Sequence, residues 1–305
     1  MIDFSPADHS TRRLVLALGV FDAVHLGHRE ILAAAVKLAR EKSARPAAIT
    51  FYPHPKAITG GEAPELLLPP AVRERELRRA GAELVGVIRF DAQLAQLAPE
   101  EFIARLTEDP TFESAGVVVG SRWRFGRHGN GSAELLGSEL ARRGIAFCPC
   151  PEKTWRGVVI SASAIRQAIR EGNLSQAQEM LGRRVALYGQ VIHGYAEAGV
   201  LLETPTANLE LTGGVVPPRG VYAGIVHLDS ATFPAAVNIG VAPTFGRRPE
   251  RIEVHVLDFS GDLYGRQLEV ELVKKLRPER KFADFSQLKK QIGADLAQVR
   301  EIVDK

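Results

Sequence analysis

The chain has 305 residues, 45% of them hydrophobic and 25% charged, and a formal net charge of +3. That length exceeds what one hydrophobic core usually organises and predicts two domains. So small a charge, spread through mixed-charge stretches that read as solvated helix faces, excludes the clustered basic surface of a nucleic-acid or acidic-membrane binder.

In chain order, residues 1–13 are polar and charged and lack the apolar core of a targeting signal. Residues 14–18 form a short apolar run followed at once by Gly19 and a helical stretch from His28 to about Lys42. Residues 47–51 are again apolar and β-compatible and stop at Pro53; residues 85–90, 117–119 and 145–148 supply further short runs with helices between them. This alternation predicts a Rossmann-like α/β domain, a parallel sheet covered on both faces, with ligands beyond the carboxyl ends of its strands. Cys148 and Cys150 stand one residue apart. That is neither zinc nor redox spacing, so they read as free thiols of a reducing compartment.

The character changes near residues 181–184, which sets the expected domains at 1–183 and 184–305. Beyond it Val185–Ile192, Gly220–Leu228 and residues 235–239, 252–259 and 267–273 are β-compatible runs punctuated by Gly, Pro and Asn. They predict a compact antiparallel barrel or sandwich. Phe285–Val303 carries Leu288, Ile292, Leu296 and Val299 at helical spacing, and a terminal helix packed on a barrel is the simplest reading. No stretch reaches the roughly 18 apolar residues of a spanning helix, so the expectation is a cytoplasmic protein with neither membrane nor nucleic-acid partners.

The strongest local signal is Gly19-Val20-Phe21-Asp22-Ala23-Val24-His25-Leu26-Gly27-His28, placed between the first strand and the first helix. Gly27 lets backbone approach a bulky anion, and the helix start adds N–H groups and a positive dipole end. Two histidines there offer further donors to phosphate oxygens. The stretch resembles the HxGH nucleotidyltransferases, and more closely the amino-terminal half of the bacterial bifunctional riboflavin kinase/FMN adenylyltransferase (FAD synthetase) family. The resemblance continues through Thr50-Phe51-Tyr52-Pro53-His54-Pro55, Pro99-Glu100-Glu101-Phe102, Gly120 to Gly126 with Gly131, and Ile160-Ser161-Ala162-Ser163-Ala164-Ile165-Arg166.

It implies attack of an FMN phosphate on the α-phosphate of ATP, releasing pyrophosphate and needing no side-chain nucleophile. His25 and His28 would meet the ATP phosphates, Arg166 the leaving pyrophosphate, and Ser161 and Ser163 would add neutral donors. Gly19, Phe21, Asp22 and Gly27 would complete the nucleotide side; Pro53, His54, Pro55, Arg124, Phe125 and Gly126 the flavin side. Two of these have a plainer reading: His54 between prolines as a turn residue, and Ser161 or Ser163 as a helix cap.

Farther on, Pro205-Thr206-Ala207-Asn208, Gly220-Val221-Tyr222-Ala223, Asn238-Ile239-Gly240, Pro243-Thr244-Phe245-Gly246 and Glu253-Val254-His255 follow in order, then Asp262-Leu263-Tyr264-Gly265. Together they resemble the riboflavin kinase module of the same family, an antiparallel β-barrel with a terminal helix, so the resemblance spans nearly the whole chain. It implies Thr206 and Asn208 as oxygen ligands of Mg²⁺ carrying ATP. Glu253 would take the proton of the riboflavin 5′-hydroxyl; apart from the motif it reads as an exposed strand carboxylate. Riboflavin, FMN and ATP are the implied small-molecule partners.

Some positions depart from the family pattern. Ala23 and Ala162 replace a Gly and a hydroxyl residue, and Arg122 and Ser132 stand where acidic residues are usual. The loop before Pro205 has Val200 and Glu203 where the family carries Arg and Gly, with one extra residue between Gly194 and Gly199. A carboxylate without a cation near a triphosphate predicts a kinase slower than the adenylyltransferase. A relative with a lost kinase or a changed substrate, or a non-catalytic flavin-binding regulator, remains the alternative.

Overall fold

Apolar runs long enough to be covered on both faces build the first sheet. The computed structural model describes residues 2–5, 13–192, 206–229, 231–241 and 250–303. In chain order come β1 (Ile2–Ser5), β2 (Arg13–Leu18), α1 (Leu26–Glu41), β3 (Arg45–Tyr52), α2 (Pro70–Arg79) and β4 (Leu84–Arg89). Then follow α3 (Ala92–Ala95), α4 (Pro99–Thr107), β5 (Glu113–Gly120), α5 (Ala133–Arg142) and β8 (Ala146–Cys150). Between β5 and α5 lies the ribbon of β6 (Arg124–Phe125) and β7 (Gly131–Ser132); after β8 comes that of β9 (Thr154–Trp155) and β10 (Val158–Val159).

The sheet order is β1-β4-β3-β2-β5-β8. All neighbours are parallel except β1, which runs antiparallel to β4 with Ile2 opposite Ile88. β1 departs from the expected featureless start. Ile2 is buried, and Phe4, two residues on, sets its ring edge against Phe112 at 5.9 Å. Two apolar residues at strand spacing are enough to cover the sheet edge. Cys148 and Cys150 are free thiols on β8, and burial pushes the Cys150 thiol up to about 12.

The second half adds α6 (Ala162–Arg170), α7 (Leu174–Leu181), β11 (Val185–Ile192), β12 (Ala207–Gly213), β13 (Gly220–Leu228), β14 (Ala231–Val241), β15 (Glu250–Val256), β16 (Gln267–Arg277) and α8 (Phe285–Val303). The strands close an antiparallel barrel in the order β11-β12-β15-β14-β13-β16. Its interior is filled by alternate residues such as Ala207, Leu209, Val237, Ile239, Ile252 and Val254. α8 lays Val299 against Ala223 and Leu257 on the outside. Packing divides the chain into two compact units: Met1–Glu65 with Pro70–Ala162, and Leu66–Pro69 with Ser163–Lys305. Leu66 joins the second unit by accepting a hydrogen bond from the Gly214 N–H at 2.9 Å.

Candidate functional site

In the first unit the residues between β2 and α1 are held in an unusual backbone. Phe21 and Val24 both have positive φ, at 51° and 42°, and both side chains are fully buried. A β-branched residue there is strained, and surrounding contacts must impose it. Those contacts are visible. The Thr50 hydroxyl, on β3, donates to the Val20 carbonyl at 2.8 Å, and the Arg73 guanidinium reaches the same oxygen at 3.5 Å. Arg73 also pairs with Asp22 at 3.7 Å, with side chains only 5% and 2% exposed. Burial pulls the Arg73 guanidinium below its usual value, and the Asp22 charge opposes that shift. Ala23 has no positive φ, so its methyl sits in the core without backbone strain.

This strained loop delivers His25 to the N-cap of α1, where its Nδ1 accepts the His28 N–H at 3.2 Å. The ring proton of His25 is thereby left on Nε2. The His28 ring stacks on that of His25 with centroids 3.6 Å apart and planes 17° from parallel, and Phe21 meets His28 edge-on at 5.1 Å. A Cβ on Gly27 would stand 3.2 Å from His25 Cε1, tighter than side chains normally come, so glycine keeps the cap open. Two imidazoles and the first amides of a 16-residue helix are thus gathered at one end, a place suited to an anion.

On the expected flavin side, His54 caps the short turn Pro55–Ala57, its Nδ1 accepting the Lys56 N–H at 3.2 Å, and Pro53 precedes it. The turn reading of His54 is therefore present in the structure. Phe125 is buried, stacked 4.7 Å from Trp123 and tilted against Phe102 at 5.4 Å, while Arg124 is exposed. Gly126 has φ 70°, and a Cβ there would lie 3.0 Å from Pro99 Cγ. Ser132 caps α5, accepting the Leu135 N–H at 3.2 Å. Ser161 directly precedes α6, Ser163 lies exposed in its first turn, and Arg166 is buried on it. Ser163 and Arg166 belong to the second unit.

In the second unit the register of three neighbouring strands makes a polar row. Asn208 on β12 lies opposite Glu253 on β15, and Glu253 lies opposite Asn238 on β14. Alternation points Ala207, Val254 and Val237 inward and these three outward. Asn238 Nδ2 donates to Glu253 Oε2 at 3.1 Å. Arg251, two residues before Glu253 and on the same face, meets Glu253 Oε1 at 2.8 Å through Nη2 and Asn208 Oδ1 at 3.0 Å through Nε. A cavity of about 300 Å³ opens over Asn238, Glu253 and His255, with Phe282, Ile292 and Leu296 on its other walls. A second, of about 120 Å³, is lined by Phe259 and Tyr264, and Thr206 borders both. Under the larger cavity, buried Asp295 of α8 holds Arg277 through both oxygens at 2.8 to 3.1 Å.

Several of these residues went unread in the sequence. The helix over residues 70–79 looks like a solvated mixed-charge face, yet Arg73 and Glu76 are buried. The loop carbonyl and Asp22 recruit Arg73, while Arg79 and Arg75 gather round Glu76 at 2.8 and 3.4 Å. Asp295 had a usable signal, a carboxylate three residues past Ile292 on an apolar helical stripe. Arg251 had none without the strand register. Gly194, Gly199, Val200, Glu203, Pro205 and the Pro243-to-Gly246 motif lie outside the described residues.

Residues 7–164 match a family model described as FAD synthetase, and residues 181–303 one described as riboflavin kinase. A bifunctional riboflavin kinase/FMN adenylyltransferase of Bacillus subtilis is 35% identical over 288 residues, covering 92% of this chain and 90% of its own. Its namesake from Escherichia coli K12 is 35% identical over 289 residues, covering 94% and 92%. A solved structure described as a macrolide-efflux protein from Streptococcus pneumoniae shares the fold with a TM-score of 0.85 and 31% identity, over 96% of this chain and 95% of its own. Among the described residues no helix is long and apolar enough to cross a membrane.

Proposed function

The chain belongs to the bifunctional riboflavin kinase/FMN adenylyltransferase family, ATP-using enzymes of FAD synthesis, and from that membership we propose which residues run each reaction. In adenylyl transfer, an FMN phosphate oxygen bonds to the α-phosphorus of ATP as the bond to pyrophosphate breaks. The chemistry asks for alignment and for stabilisation of phosphoryl charge. His25 Nε2, His28 and the first amides of α1 supply the donors. Asp22 acts through its buried pair with Arg73, holding the strained loop that presents His25. The stacked, capped histidine pair is the observation that carries this half.

In the kinase reaction, the riboflavin 5′-hydroxyl gives its proton to Glu253 as its oxygen bonds to the γ-phosphorus of ATP and ADP leaves. The amide of Asn238 anchors the far oxygen of Glu253. The Thr206 hydroxyl and Asn208 amide oxygen are hard ligands. No cluster of three His, Cys, Asp or Glu able to hold a metal stands among the described residues. A two-oxygen site suits Mg²⁺, which keeps waters and substrate phosphates as its other ligands. Bound there, Mg²⁺ would neutralise charge on the transferred phosphoryl group.

Incubating the protein with Mg²⁺, riboflavin or FMN, and each of the four common nucleoside triphosphates tests the reading. FMN from riboflavin and FAD from FMN, both with ATP, are the expected products. Failure to form FAD from FMN and ATP would contradict it.

A further inference from the structure

Resting on this reading of the barrel, we propose that Arg251 is the phosphate-facing cation of the kinase site. A triphosphate brought to Thr206 and Asn208 needs positive charge besides the metal, and residues 199–205 contain no Lys or Arg. Among the described residues, the arginines that line the larger cavity are otherwise engaged: Arg277 is clamped by Asp295, and Arg280 donates to Gln291. Arg251 stands beside one of the proposed metal ligands, its Nε 3.0 Å from Asn208 Oδ1.

That contact fixes where the charge can go. Asn208 Oδ1 is one of the two oxygens that would hold Mg²⁺, and phosphate oxygens carried by that ion would come within reach of a guanidinium on the same amide. Two cations on one oxygen repel, and the triphosphate is the anion next to hand. A planar guanidinium suits two phosphate oxygens at once. The exchange is easy, because Arg251 is 31% exposed and its pair with Glu253 is screened by water. It also leaves Glu253 ready. Arg251 holds Oε1 and Asn238 holds Oε2, so departure of the guanidinium frees one oxygen for the riboflavin hydroxyl while the other stays anchored.

Steady-state riboflavin phosphorylation by the full chain tests this, with Arg251→Gln, Arg251→Lys and Glu253→Gln compared with the parent at saturating Mg²⁺. Arg251→Gln should raise the KM for ATP about tenfold or more, with kcat and the KM for riboflavin little changed, the pattern of lost uniform binding. Arg251→Lys, which keeps the charge, should recover most of the loss, and Arg251→Met takes the place of the glutamine variant if that one does not fold. A KM for ATP within twofold of the parent in both variants overturns the proposal. So does a loss confined to kcat, the mark of a residue that only orients Glu253. Glu253→Gln addresses the reading beneath: undiminished kcat in that variant would show that the base, and not only Arg251, has been misassigned.

Discussion

Two imidazoles stacked 3.6 Å apart at a helix start suit the phosphate role proposed for them, because a loop with two left-handed residues holds one of them as the cap. Replacing His28 with Ala should leave the fold intact and slow FAD formation from FMN by two to three orders of magnitude, about 2.7–4 kcal/mol for a lost transition-state donor. Stopped-assay chromatography of FAD would check it; near-normal turnover would remove His28 from the chemistry. Beneath the loop, Arg73→Met removes the buried cation paired with Asp22 and should cost about 3–5 kcal/mol. In thermal melts the first transition should fall, with FMN adenylylation lost at temperatures where riboflavin phosphorylation persists. In the barrel, burial pushes the Tyr222 phenol up to about 12 from an ordinary value of 10.0, and its hydroxyl donates to the Pro218 carbonyl. The unfolded chain gives up this proton first as the pH rises. Between roughly 10 and 12 it therefore binds fewer protons than the native protein, and the stability due to Tyr222 is lost across that window. Urea unfolding of Tyr222→Phe should accordingly vary less between pH 9 and 11 than that of the parent.

At the scale of elements, the proposed kinase site is a register: one row across β12, β15 and β14 places Asn208, Glu253 and Asn238 side by side. Asn238→Ala removes the anchor of Glu253 and should lower kcat for riboflavin phosphorylation about tenfold, in line with one lost hydrogen bond to a charged group, with the KM for ATP unmoved. A fall in FMN adenylylation instead would place Asn238 elsewhere. Much of this architecture was legible beforehand, because runs such as Gly220–Leu228 and Phe285–Val303 carry their periodicity openly. What stayed hidden depends on partners far away in sequence. β1 needs β4 and Phe112 before two apolar residues read as a strand. β12 alternates apolar Leu209 and Leu211 with polar Glu210 and Thr212, and as a stretch after a Pro turn it did not declare itself a ladder member. Arg73 and Arg251 look like any solvated arginine until a loop carbonyl or a neighbouring strand is set beside them.

For the whole molecule, the sequence changes character near residues 181–184, whereas packing places α7 with the barrel, Leu174 reaching its core and Ala177, Met180 and Leu181 buried. We propose that fragments 1–183 and 184–305 each fold, and that a fragment 163–305 is the more stable of the two barrel forms. Each large apolar side chain that α7 covers contributes about 1.5–3 kcal/mol. Equal urea midpoints for 184–305 and 163–305 would show α7 to be dispensable. Two separable chemistries share this one chain. The most direct measurement supplies Mg²⁺·ATP and riboflavin to the full-length parent, His28→Ala and Glu253→Gln, and follows FMN and FAD by chromatography, with a second series started from FMN. His28→Ala should accumulate FMN without FAD, and Glu253→Gln should make FAD from FMN but no FMN from riboflavin. A folded His28→Ala that makes no FMN from riboflavin, a folded Glu253→Gln that makes no FAD from FMN, or undiminished turnover of both steps in either variant would contradict it.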